Sequence, residues 1–145
     1  MFVSQKRIVV EFGDCDPAGI VYNPQYLRWF DACTSALFAN AGIPYKDIFK
    51  AHGGIGIPIV NVQARFLPST YGDELMVESA VTRWGKSSFD VRHRFLKRGA
   101  LAVEGLETHV WAERVPNDPE RIRSRPLPPE VIERLSVART VIASP

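Results

Sequence analysis

GDCDPAGIVYNPQY, running from Gly13 to Tyr26, joins an acidic turn directly to the start of a helix. Asp16 precedes Pro17, Ala18 and Gly19, so a tight turn can hold its carboxylate near the chain that follows. Asn23 reads as the N-cap and Pro24 as the first helical residue, because proline has no N–H to lose there and its φ is already helical. The free N–H groups of that first turn are expected to point back toward Asp16. A carboxylate facing backbone donors can activate water or attack a carbonyl while the donors hold the developing oxyanion. The pattern points to acyl-transfer chemistry.

Outward from this stretch, Ile8, Val10 and Phe12 alternate with Val9 and Glu11 and predict a first strand. From Pro24 to Ala41, Leu27, Phe30, Thr34, Leu37, Phe38 and Ala41 recur at spacings of three and four, with Trp29, Cys33 and Ala36 widening the apolar surface. This predicts one long helix buried on most sides. Gly42 stands at its C′ position and Pro44 stops it from resuming. A short helix is expected over Tyr45–Ala51. Beyond the turn HGGIG the pattern changes to strands: Ile57–Phe66, Glu74–Trp84, Ser88–Lys97 and Leu101–Glu113. Their short links, Ser69–Asp73, Gly85–Ser87 and Arg98–Ala100, suit antiparallel neighbours. Gly105 marks a bulge or a close backbone approach. Asn117-Asp118-Pro119 breaks the pattern, and Pro129–Val137 predicts a closing helix. The expected fold class is α+β, an antiparallel sheet of about five strands wrapped around one helix. Such a sheet keeps an edge, so a homo-oligomer is expected.

The chain has 145 residues, enough for one domain, 1–145, with a real core. Apolar residues at 46% and charged residues at 23% are ordinary for a globular protein. No apolar run could span a bilayer, and MFVSQKRIVVEF lacks a signal peptide's pattern, so the expected location is cytoplasmic, without membrane contact. The two cysteines, Cys15 and Cys33, read as reduced thiols rather than a disulfide framework. A net charge of +2 does not argue for nucleic acid.

These residues resemble the hotdog-fold acyl-CoA thioesterases, specifically the 4-hydroxybenzoyl-CoA thioesterase family, and are similar also to the short-chain enzymes associated with the tol-pal operon. The resemblance rests on EFGDCDPAGIVYNPQYLRWFD, GIGIPIV, TRWGKSSFDVRH and ERIRSRPLP, which together cover most of the chain. It implies hydrolysis of an acyl-CoA to free acid and CoA, with no cofactor and no metal. It also implies dimers with an active site at each subunit boundary, commonly paired into tetramers. Asp16 corresponds to the family's acting carboxylate, as nucleophile or as general base, and the Asn23 backbone amide to the oxyanion donor. The family has an aromatic residue or histidine where Asn23 stands. Lys46 replaces an aromatic residue that would help enclose a benzoyl ring, and Gly85 and Lys86 replace an arginine pair.

Other candidates follow from side-chain chemistry. Tyr22 and Tyr26 flank the helix start and either line an acyl pocket or pack at an interface. Gly54, Ile55 and Gly56 can bring backbone close to the thioester or pantetheine arm. Lys86, Ser87 and Ser88 form a turn that could take the nucleotide phosphates. Arg121 and Arg123 alternate with Arg125 in the tail, as either a solvated edge or further phosphate contacts. Asp14 reads as turn-fixing, and His93 and His109 as satisfied structural histidines. The competing functions are a hotdog-fold dehydratase, a non-catalytic acyl-CoA or acyl-carrier binding module and, more weakly, a nucleic-acid binder on the arginine-bearing strands.

Overall fold

The computed structural model describes residues 1–144. Eight strands and three helices follow one another as β1 (Phe2–Val9), α1 (Asn23–Asn40), α2 (Tyr45–His52), β2 (Ile59–Phe66), β3 (Glu74–Trp84), β4 (Ser88–Lys97), β5 (Ala100–Val110), β6 (Ala112–Val115), β7 (Asp118–Ser124), α3 (Pro129–Arg134) and β8 (Arg139–Ile142). Six strands form one sheet in the order β2-β5-β4-β3-β1-β8, and β6 and β7 form a separate two-stranded ribbon. The pairs are antiparallel except β1 with β8, which run parallel.

α1 lies across the sheet because its apolar positions repeat with the helical period, while β4 presents every second residue to it. Phe89, Val91, His93 and Phe95 of β4 are all fully buried. Two apolar clusters fill the interface. One surrounds Tyr26, Trp29, Phe30 and Cys33 with Val77, Phe95 and Val103. The other surrounds Leu37 and Phe38 with Phe89, Val91, Trp111 and Leu127. Thr34 stands between them on α1.

Two glycines set local geometry. Gly42, at φ 80°, follows the Ala41 C-cap. The Gly42 N–H donates to Ala39 O and the Ile43 N–H to Phe38 O, the paired bonds of a Schellman stop. Gly105 answers a need for room: a Cβ there would stand 2.7 Å from Cε2 and 2.9 Å from Cε1 of Phe30. The close-approach reading of Gly105 is the one the fold uses.

Several expectations are corrected. The first strand lies earlier than Ile8–Phe12, and Phe12 opens a 3-10 turn over Phe12–Asp14 and is 81% exposed. Alternation alone fits that exposed segment as well as a strand. Tyr22, not Asn23, is the N-cap of α1, without a side-chain cap bond. Only part of α1 is buried, and Leu27 is exposed. The strand expected from Ile57 begins at Ile59, because Pro58 donates no ladder bond. Leu101–Glu113 divides at Trp111 into β5 and β6. The arginine-bearing tail is β7, and the expected Pro129–Val137 helix stops at Arg134, leaving room for β8. The sheet therefore has six strands rather than about five.

Candidate active site

The Asp16 loop is a small closed unit. The Asp16 N–H donates to Ile20 O and the Gly19 N–H to Asp16 O, both at 2.9 Å. Cys15 bridges Val21, and Ile20 bridges Thr70. Asp14 fixes the approach, as expected: its Oδ2 accepts the Glu11 N–H at 2.8 Å and its carbonyl accepts the Tyr22 N–H at 2.8 Å. The Asp16 carboxylate is half-buried, and its Oδ1 accepts the Ala18 N–H at 2.9 Å. This is the local side-chain-to-backbone turn typical of aspartate. The expected link between that carboxylate and the first turn of α1 is not made within the chain; the donor comes from the turn itself. The Asn23 backbone N–H belongs to the group that a helix leaves without internal partners.

Tyr22 and Tyr26 part company. Tyr22 is 58% exposed beside the Asp16 loop. Tyr26 is 2% exposed, with Trp29, Phe66 and Phe95 around its ring, and its hydroxyl accepts the Ser69 N–H at 3.4 Å. Tyr26 is therefore a core residue in the single chain and lines no cleft there.

The remaining candidates gather elsewhere. The Ile55 N–H donates to Ala112 O at 2.9 Å, and Gly54 lies against the Trp111 ring. The Ser87 carbonyl accepts the Trp111 N–H at 2.8 Å, and the Lys86 carbonyl accepts the Leu127 N–H at 2.9 Å. Lys86 is exposed, while the Ser88 hydroxyl accepts from Arg83 at 3.3 Å. Arg121 and Arg123 are exposed on β7, and Arg123 pairs with Glu113 at 3.3 Å. Gly54, Ile55 and Lys86–Ser88 thus surround Trp111 and Ala112, with Arg121 and Arg123 on the adjoining ribbon.

The two groups sit at opposite ends of β3. Asp16 neighbours the Thr70–Asp73 turn that leads into β3, and Lys86 lies two residues past its end. Eleven residues of strand span about 35 Å.

Near the second group is a pocket of about 410 Å³. Its walls are Asp31 of α1, Tyr45 and Phe49 of α2, the Ile55–Ile59 segment and His109 of β5. Burial is the main influence that pushes the Tyr45 hydroxyl above the ordinary tyrosine value, so it stays a neutral donor in the pocket. Sequence reading passed over Asp31 and Tyr45, because each sits in a helix whose apolar spacing explains its neighbours and not itself.

Beneath this pocket runs a buried polar row. Glu107 and His93 are 0% exposed, and His109 is 4%. Glu107 Oε2 lies 3.1 Å from His93 Nε2, 3.2 Å from His109 Nε2 and 3.4 Å from Thr34 Oγ1. His93 Nδ1 lies 2.7 Å from Ser79 Oγ, and His109 Nδ1 lies 2.8 Å from Ile57 O. Burial alone would raise the Glu107 carboxyl, but hydrogen bonds from His109 and His93 outweigh it and leave it lowered to about 2. The structural reading of both histidines agrees with these contacts. Glu107 itself was legible: it shares the inward phase of β5 with Val103, Gly105 and His109. Among the described residues no group of three or more His, Cys, Asp and Glu is placed to hold a metal ion. Among the described residues no helix is long and apolar enough to cross a membrane.

Comparison with known proteins identifies the class. The Thioesterase-like superfamily matches residues 10–135. The chain is 37% identical to 4-hydroxybenzoyl-CoA thioesterase of Pseudomonas sp. (strain CBS-3), over 91% of this chain and 95% of that protein. It is 33% identical to a 1,4-dihydroxy-2-naphthoyl-CoA hydrolase of Synechococcus sp. (strain WH7803), over 86% and 82% of the two chains. Among solved structures, an Asp-to-Asn mutant of 4-hydroxybenzoyl CoA thioesterase, complexed with 4-hydroxybenzoyl CoA, superimposes with a TM-score of 0.84. That match has 35% identity and covers 92% of this chain and 99% of the other. The architecture is the hotdog fold, and the chain belongs to the Thioesterase-like superfamily.

Proposed function

We propose that this thioester hydrolase cleaves an aromatic acyl-CoA resembling 4-hydroxybenzoyl-CoA, or a short-to-medium-chain acyl-CoA, to the free acid and CoA. The observation that carries the reading is the pocket of about 410 Å³ at the head of β2. Phe49, Tyr45 and the Ile55–Ile59 segment give it apolar walls, and the Asp31 carboxylate offers one acceptor to a hydroxyl on the acyl group. Relatives that act on 4-hydroxybenzoyl and dihydroxynaphthoyl thioesters support an aromatic, hydroxylated acyl group.

Asp16 is assigned the chemical step, as nucleophile on the thioester carbonyl or as general base on water. The Asn23 N–H at the positive end of α1 is assigned to the developing oxyanion. Thiolate leaves readily, so no strong general acid is needed. Asp16 and the Lys86–Ser88 turn stand at opposite ends of β3, so a CoA ester that touches both takes them from two copies of the chain. A free sheet edge suits that arrangement: among the described residues β2 pairs only with β5, and Val60 is 63% exposed. We therefore propose a homodimer as the working unit, with pairing into a dimer of dimers. The cytoplasm is the proposed compartment, in keeping with the unpaired Cys15 and Cys33.

The test is a panel of aromatic, short-chain and long-chain acyl-CoAs, followed by release of free thiol. Asp16→Asn is expected to bind CoA ester and to lose at least about a hundredfold in kcat. Hydrolysis unchanged by that substitution would instead favour an acyl-CoA binding module with incidental activity.

A further inference from the structure

The hydrogen-bond partners of the buried row, taken with an ionised Glu107, say where its protons belong. A carbonyl oxygen only accepts, so His109 Nδ1, 2.8 Å from Ile57 O, carries a proton. With Glu107 ionised, as its lowering to about 2 indicates, its carboxylate also only accepts, and His109 Nε2 at 3.2 Å from Oε2 then carries a second one. His93 differs. Its Nδ1 faces the Ser79 hydroxyl at 2.7 Å, which can donate, so the single proton on Nε2 toward Glu107 suffices. The row then holds one negative and one positive charge. The His109 ring also stacks on Phe89, with centroids 5.3 Å apart and planes 13° apart, a contact favourable to a cation.

The Ile57 carbonyl is worth holding. Pro58 has no N–H, and the pairing of β2 with β5 is irregular between Ile59 and Asn61. The ordinary ladder is therefore interrupted where the Ile55–Ile59 segment walls the pocket. The Val110 N–H holds Pro58 O at 3.1 Å and the Ala112 N–H holds Gly56 O at 3.1 Å. The imidazole supplies the bond between them.

We propose that Glu107 and His109 form a buried ion pair that fixes the Ile57 carbonyl and so sets the wall of the acyl pocket. Both are positioning residues, acting on substrate fit through Ile57. The pocket assignment rests on the thioesterase reading above; the ion pair does not. Asp31 and Tyr45 also line the pocket beside His109, and neither is hydrogen-bonded to it.

Two measurements test this. The chain has three histidines, so ring-nitrogen NMR at neutral pH is tractable, with His109→Gln identifying the signals. Two protonated nitrogens are expected for His109 and one for His93; a bare nitrogen on His109 overturns the ion pair. In kinetics with benzoyl-CoA, Glu107→Gln and His109→Gln are expected to raise KM about tenfold with kcat within about twofold. His109→Arg, which keeps a cation and two donors, is expected to recover most of the KM. An unchanged KM, or a fall in kcat alone, overturns the positioning role. If the variants do not fold, the NMR result on the unmodified chain still decides the ion pair. Absence of hydrolysis by the unmodified chain would overturn the functional reading and leave the NMR result to stand by itself.

Discussion

Carboxylates in this chain are held in their charged form by specific donors. Asp73 accepts from Lys97 at 2.7 Å and from the Thr70 N–H at 2.8 Å, and these bonds hold it below the usual range. Asp90 is lowered chiefly by Arg83, with Thr108 adding a second donor. Glu107 is lowered to about 2 by its two histidines, against the opposing effect of burial. In each case the folded value lies below the unfolded one, so the stabilisation is complete above the unfolded value and disappears as pH falls through the folded value. Urea midpoints measured against pH are expected to fall on acidification from 4.5, the ordinary Glu value, toward about 2. Glu107→Gln is expected to start less stable and to fall less steeply over that interval, since it removes one of the responsible groups.

At the scale of elements, the contact between α1 and β5 is set by Phe30 and Gly105. Gly105→Ala is expected to destabilise the fold by about 1–3 kcal/mol, because the Phe30 ring must leave its stacked position on His93. Pairing it with Phe30→Leu is expected to return part of that loss, measured by thermal or urea unfolding. Elements of this kind were legible wherever pattern and punctuation agreed. β3 and β4 keep the ranges their alternation predicts, and α1 ends where Gly42 and Pro44 say it should. Prediction failed where a short segment owes its state to a partner strand rather than to a pattern of its own. β8 is a strand because β1 offers it an edge, and β7 because β6 folds back on it. At the site, Asp14 and the histidines were readable from turn chemistry and strand phase. The Asp31 pocket was not, because it is made by four parts of the chain meeting.

At the scale of the molecule, β2 is an open edge whose exposed residues include Ile59, Val60, Val62 and Phe66. Val62→Lys is expected to leave the fold of the single chain intact and to shift it to monomer in sedimentation velocity. If Asp16 and the Lys86–Ser88 turn serve one substrate from two copies, the same variant is expected to lose hydrolysis in parallel with the dimer. A fully active monomer would locate the whole site within one chain.

The order of the sheet also bears on how the polypeptide reaches this state. β3, β4 and β5 are neighbours in sequence and in space, so they can zip together early as a meander. β1 has to wait for β3 and then for β8, and β2 can dock only after β5 is in place. A growing chain on the ribosome therefore carries its first strand without a neighbour until β3 has emerged, and its second until β5 has. Refolding at high concentration should favour clumping through those unsatisfied backbones, and dilution or slower translation should relieve it.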